Sequence, residues 1–163
     1  MATPSPQDGG VADTVATICA EHGNRPDALI EILHGVQAEF GHVPESAVEP
    51  LASALNLTRA DVHGVISFYH DFERTRPGRH VLKLCRAESC QANGSNQLAD
   101  HAKEALGVPF GGTTADGAIT LKAVYCLGNC ALGPSLLVGE NLHARVDAAK
   151  FDALVADLRE SGE

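Results

Sequence analysis

Four cysteines fall as two close pairs in the second half of the chain, Cys85-x4-Cys90 and Cys126-x3-Cys130. Each pair sits where an apolar, strand-like run breaks into a glycine-containing loop, with Gly94 after the first pair and Gly128 inside the second. Four thiolates gathered at two chain reversals make a soft, all-sulfur site, suited to an iron–sulfur cluster or zinc and poorly suited to metals that prefer oxygen. Zinc knuckles and redox dithiols favour C-x2-C, which neither pair shows. A Rieske centre needs two histidines beside the pairs. The nearest downstream, His101 and His143, fall mid-helix and mid-strand. Spacing therefore favours a binuclear iron–sulfur cluster and leaves zinc, disulfides and free thiols open. Cys19, the fifth cysteine, lies on a helical stripe between Ile18 and Ala20 and reads as a small buried hydrophobe.

The elements that must position the pairs follow from periodicity. Val11, Val15, Ile18, Cys19 and His22 form a helical stripe stopped by Gly23-Asn24. Pro26 opens a second helix, lined by Leu29, Ile30, Leu33, Val36 and Phe40 and ended by Gly41. A third begins after Pro44 with Val48, Leu51 and Leu55, and Asn56 is its left-handed stop. Thr58 to Asp61 reads as a capping box, followed by Val62, Val65, Ile66 and Tyr69. The pattern then changes. Residues 81–84 read as a strand ending at Cys85, and a helix of Leu98, Ala102, Ala105 and Leu106 follows Gly94. Asp116-Gly117 turns into an alternating strand over 119–125 that delivers Cys126. Residues 135–138 and 142–146 read as a hairpin, and Leu154, Val155 and Leu158 mark a closing helix.

The expected organisation is a disordered tail over 1–10, a helical domain over 11–72, a linker over 73–79 (ERTRPGR) and an α/β domain over 80–163. The order β-α-β-β-β-α implies a parallel crossover. It also places both cysteine pairs at strand C-terminal ends, where open sheets hold ligands. Backbone N–H groups of the glycine loops can there offset sulfur charge.

Composition narrows the function classes. The chain has 163 residues, 44% hydrophobic and 20% charged, with a formal net charge of −9. Both halves are net acidic, which argues against nucleic acid and anionic membrane partners. No apolar run reaches the length of a membrane span. The start, MATPSPQDGG, has neither a basic n-region nor an apolar h-region, so a cytoplasmic protein with reduced thiols is expected. Neither a phosphate loop nor a dinucleotide fingerprint occurs, so no NAD or FMN site is expected on this chain. Arg74, Arg76 and Arg79 read as a solvated linker cluster, and His70-Asp71 as a helix terminus.

The runs CRAESCQANG and VYCLGNCALGPSLLVGENLH resemble the thioredoxin-like [2Fe–2S] subunit family. That family includes the small [2Fe–2S] subunit of NADH:quinone oxidoreductase and small subunits of NAD-linked hydrogenases and formate dehydrogenases. LIEILHGVQAEFGHVPESAVEPLASALNLTRADVHGVISFYHDF is similar to the family's helical domain. Within the family, HGVISFYHDF, CRAESCQ and TTADGAITLKAVYCLGNCALGP are most similar to gamma subunits of soluble NAD-dependent formate dehydrogenases. The resemblance implies a helical bundle followed by a thioredoxin-like domain with a mixed sheet, and one [2Fe–2S] cluster on Cys85, Cys90, Cys126 and Cys130. It also implies a flavin- and NAD-binding partner, and a large subunit whose molybdenum or tungsten pterin oxidises formate. The chain itself then moves electrons and catalyses no bond change. The family often has alanine where Asn129 and Gly133 stand. The Asn129 amide is a candidate hydrogen-bond donor to sulfur, against a loop asparagine bonded to its own backbone.

Overall fold

The computed structural model describes residues 8–160 and divides the chain into two compact units, Met1–Arg76 and Pro77–Glu163. Residues 1–7, most of the expected tail, lie outside the described residues. The rest of that tail is already helical, because helix α1 (Asp8–Glu21) starts three residues before the expected position.

In the first unit α1 ends in a Schellman-type stop. Asn24 N–H donates to the Cys19 carbonyl at 2.8 Å, and Gly23 N–H donates to that of Ala20 at 2.9 Å. A 3-10 turn at Pro26–Ala28 leads into α2 (Leu29–Phe40), which closes at left-handed Gly41. A second turn, Glu45–Ala47, leads into α3 (Val48–Leu55), and Asn56 ends it with φ 54° and ψ 42°. The capping box forms as expected at the start of α4 (Arg59–Phe68). Thr58 Oγ1 accepts from Asp61 N–H at 3.1 Å, and Asp61 Oδ2 accepts from Thr58 N–H at 2.9 Å. Val15, Ile32, Leu33, Val36, Leu51, Leu55 and Val62 are buried together, with Cys19 among them. Tyr69, expected on the α4 stripe, is instead exposed, because the chain leaves the helix there with extended φ −88° and ψ 108°.

Residues 73–79 divide between the units. The Gln37 side chain donates to Asp71 O at 2.8 Å and accepts from Glu73 N–H at 2.7 Å, and Val43 N–H donates to Glu73 O at 2.7 Å. Arg74 pairs with Glu45 at 3.5 Å. On the other side, Arg79 N–H donates to Gly117 O at 3.1 Å. A Cβ at Gly78 would stand 3.0 Å from the Ile119 backbone, so a side chain there would press on β2.

The second unit is built on a four-stranded mixed sheet. Strand β1 (His80–Cys85) pairs in parallel with β2 (Ile119–Val124), from His80 against Ile119 to Cys85 against Val124. On its other edge β1 pairs antiparallel with β3 (Leu136–Val138), which makes a hairpin with β4 (Asn141–His143). The strand order is therefore β2-β1-β3-β4. The expected β4 was longer; it stops because Arg145 turns left-handed at φ 47°. Two helices separate β1 from β2: a short α5 (Glu88–Ala92), absent from the sequence reading, and α6 (Ser95–Leu106). Helix α7 (Ala148–Glu160) closes the unit. Leu82, Leu84, Ile119, Leu121 and Leu136 from the sheet bury against Leu98 and Ala102 of α6 and Phe151 of α7. Each such side chain stabilises the fold by about 1.5–3 kcal/mol relative to exposure. Ala105, expected on the buried face of α6, is exposed.

Candidate metal centre

The in-register parallel pair places both cysteine segments at one end of the sheet. Cys85 is the last residue of β1 opposite Val124, so the chain leaves both strands at the same level and meets Cys126 two residues later. Arg86 N–H donates to Val124 O at 2.7 Å and locks the two exits together. Helix α5 lifts Cys90 back over the strand end, where it is 2% exposed, as is Cys85. Cys126 and Cys130 are exposed. Cys126 has φ 149°, a region L-residues rarely occupy, and Gly128 follows with φ 76°. Cys130 opens a 3-10 turn, Cys130–Leu132.

The thiols associate as two pairs that reach each other. Burial pushes the Cys90 thiol above its ordinary pKa, and its hydrogen bond with Cys85 pushes the same way, with weaker repulsion from Cys85 and Cys130. Cys130 is raised first by its hydrogen bond with Cys126 and then by charge repulsion from Cys126, with a further contribution from Cys85. Burial leads at Cys90 and the neighbouring Cys126 at Cys130, with repulsion between crowded sulfurs adding to both, and each thiol is easier to keep protonated until a cation arrives.

Donors are aimed at this sulfur. Gly128 N–H donates to Cys126 Sγ at 3.3 Å. The Ser135 backbone lowers the Cys90 pKa and the Ser89 hydroxyl that of Cys130, each through a hydrogen bond to the thiol. Ser89 Oγ lies 3.2 Å from Cys130 O, so its one hydrogen can turn to either acceptor of Cys130 and tie α5 to the second loop. Asn129 departs from expectation. Its amide donates to Ser135 Oγ at 3.1 Å, neither to sulfur nor to its own backbone. A Cβ at Gly133 would sit 3.3 Å from Cys90 Sγ, a tight contact that an alanine methyl could make only if the sulfur gave way slightly.

This donor set fits a binuclear cluster. Two associated pairs of thiols suit two irons. Four thiolates around two ferric irons and two sulfides carry a formal charge of about −2, which hydrogen bonds to sulfur offset. His101 is engaged elsewhere, with Nε2 2.7 Å from Asp152 Oδ1. Cys19 lies fully buried in the first unit's core, where burial raises its pKa, and it takes no part in the centre. The sequence reading found the four sulfurs and missed Ser89 and Ser135. Ser135 carries a readable signal only once β3 is known to pair beside β1.

A family model described as thioredoxin-like [2Fe–2S] ferredoxin matches residues 15–159. The chain belongs to this family. Its cofactor is accordingly a [2Fe–2S] cluster, and its fold is the helical unit followed by a thioredoxin-like ferredoxin unit. Among similar proteins of the family is a subunit of the NADH-quinone oxidoreductase of Rhizobium meliloti (strain 1021). It is 37% identical over 147 residues, 90% of this chain and 88% of the relative. The HndA subunit of the NADP-reducing hydrogenase of Solidesulfovibrio fructosivorans is 30% identical over 129 residues, 79% of this chain and 75% of that one. The crystal structure of an air-oxidized NAD+-reducing [NiFe]-hydrogenase superposes with a TM-score of 0.70 at 25% identity, covering 83% of this chain. This ferredoxin-type chain spans only 23% of that hydrogenase chain.

Proposed function

We propose that this chain is the cytoplasmic electron-transfer subunit of a multisubunit NAD-linked oxidoreductase, with Cys85, Cys90, Cys126 and Cys130 as ligands, one pair to each iron. The observation that carries this reading is the arrival of both pairs at one end of the parallel β1–β2 pair. When bound, the cluster accepts and releases single electrons and changes no substrate bond. The chain's residues supply the rest. Cys85 and Cys90 anchor the site in the sheet, and the exposed Cys126 and Cys130 leave one side open to a redox partner. Tyr125, 77% exposed beside Cys126, gives that side apolar surface. Gly128, Ser135 and Ser89 direct hydrogen-bond donors to the sulfurs. Among the described residues no helix is long and apolar enough to cross a membrane.

The partner in this reading is a flavin- and NAD-binding subunit, and the electron source is formate, oxidised to carbon dioxide on a large subunit with a molybdenum or tungsten pterin. The runs HGVISFYHDF, CRAESCQ and TTADGAITLKAVYCLGNCALGP support formate. A second reading has the same role in a hydrogenase or an NADH:quinone oxidoreductase, and the relatives' names favour it. Purifying the complex through a tag on this chain decides between them. Formate-driven NAD+ reduction is expected; hydrogen-driven NAD+ reduction or NADH:quinone activity without formate activity would overturn the formate assignment. Iron and acid-labile sulfide in equal amounts are expected in the chain itself, and a colourless zinc protein would overturn the electron-transfer role.

A further inference from the structure

Ser135 stands between the two halves of the centre. It is 1% exposed, immediately before β3. Its carbonyl accepts the Cys85 N–H at 3.0 Å, and its backbone also hydrogen-bonds the Cys90 thiol. Its main chain is thus tied to both members of the buried pair. Its hydroxyl faces the other way in this network and accepts the Asn129 amide at 3.1 Å. Asn129 lies between Cys126 and Cys130, in the exposed loop that contains two positive-φ residues, Cys126 and Gly128. One side-chain hydrogen bond therefore links the loop of the exposed pair to the residue that grips the buried pair.

We propose that Asn129 and Ser135 form a clasp of positioning residues that holds the exposed sulfur pair in register with the buried pair and slows loss of the metal. The clasp rests on the reading that the four cysteines are the ligands. The loop's other ties include Gly128 N–H to Cys126 Sγ, Ser89 Oγ to Cys130 O, and Arg145 N–H to Leu132 O at 2.8 Å, which holds the Cys130–Leu132 turn to the segment after β4. The first lies within the loop, so it does not fix the loop to the sheet. The second attaches to α5, a five-residue helix. The Asn129–Ser135 bond is a side-chain tie that reaches the sheet beside β1, through a residue whose own position is set by the β1–β3 pairing. Part of its length is buried, where a neutral amide-to-hydroxyl bond is strengthened and an unpaired partner is costly.

The test is iron release from the full-length protein, isolated with its cluster and challenged anaerobically with a ferrous chelator while visible absorbance is followed. Asn129→Ala and Ser135→Ala should each speed release about fivefold, the factor expected from losing one ordinary hydrogen bond. The double variant should be no faster than either single, since both remove the same bond. Ser135→Thr, which keeps the hydroxyl, should release iron at the wild-type rate. Asn129→Ala should also broaden the paramagnetic resonance of the reduced protein while leaving far-ultraviolet circular dichroism unchanged. Wild-type release from Asn129→Ala, or a double variant whose effect is the product of the singles, overturns the clasp. If Ser135→Ala does not fold, Asn129→Ala alone decides. Wild-type protein without iron would instead overturn the ligand assignment, so the two failures are distinguishable.

Discussion

A thiol must lose its proton before it binds iron, and the cost depends on where the charge is placed. Cys90 is buried and raised chiefly by that burial, whereas exposed Cys130 is raised chiefly by Cys126 beside it. The two pairs thus resist ionisation for different reasons, and both reasons vanish when iron neutralises the sulfur. Cys19 shares the burial without the neighbours, since its surroundings are Val15, Ile32 and other aliphatic side chains. Cys85→Ala should therefore leave less than half of the wild-type iron and sulfide in purified protein, while Cys19→Ala should leave both unchanged, by iron and acid-labile sulfide assay. Equal iron in the two variants would contradict the assignment. At this scale the two cysteine pairs that the structure brings to one sheet end were legible because type and spacing belong to the sequence itself. The groups that tune them were not. Gly128 acts through its backbone N–H, and Ser135 through a main chain brought alongside by strand pairing. The Asn129 amide, a candidate for sulfur or for its own backbone, goes to Ser135 because β3 carries that hydroxyl within reach.

Elements decide whether the four sulfurs meet. β1 is paired on both edges, and Leu82 and Leu84 are fully buried on it, so the strand that ends at Cys85 is held by the second unit's core. Leu84→Ala should destabilise this unit by about 2–5 kcal/mol, through lost burial and the cavity left behind. It should also lower iron occupancy, although residue 84 is no ligand; urea unfolding with parallel iron analysis checks both. In the first unit the element boundary is itself testable. Thr58→Ala removes one side of the α4 capping box and should cost about 1 kcal/mol in urea unfolding. The hydrogen bonds from the Thr58 side chain and backbone hold the Asp61 carboxyl below its usual pKa. A carboxylate lowered on folding contributes stability in full above its unfolded pKa, and that contribution is lost as pH falls through the folded value. The stability gap between wild type and Thr58→Ala should accordingly shrink as pH drops through and below the ordinary aspartate range. Helix ends were legible here because they depend on local residues: Gly23-Asn24, Gly41, Asn56 and the Thr58 box each stop or start a helix where the sequence places them. α5 was not, since five residues are too few to show a period. Phe151 was also missed as a core residue. It is fully buried, but its role depends on α7 packing over the sheet, which no local pattern displays.

For the whole molecule, the division of labour follows from where the four proposed ligands lie. Cys85, Cys90, Cys126 and Cys130 all belong to the unit Pro77–Glu163, and each unit has its own buried aliphatic cluster. Ligand binding stabilises only the states that bind, so the free energy of metal binding should appear as protection of the elements that converge on the sulfurs. In hydrogen exchange of the full-length chain, removing iron under reducing conditions should speed exchange in peptides covering 85–92 and 124–135. The amides concerned include Cys85 N–H on Ser135 O and Arg86 N–H on Val124 O, bonds that hold the two loops at the strand ends. Peptides covering α2 and α3 should exchange at the same rate with and without iron, because their protection comes from Ile32, Leu33, Val36, Leu51 and Leu55, which meet no ligand. Faster exchange in α2 and α3 after iron removal would show that the metal supports the helical unit as well, and the two-unit account of stability would then fail. Unchanged exchange at 85–92 would mean that the loops keep their shape without metal, leaving the sheet and the Ser89 and Ser135 contacts as sufficient supports for the site.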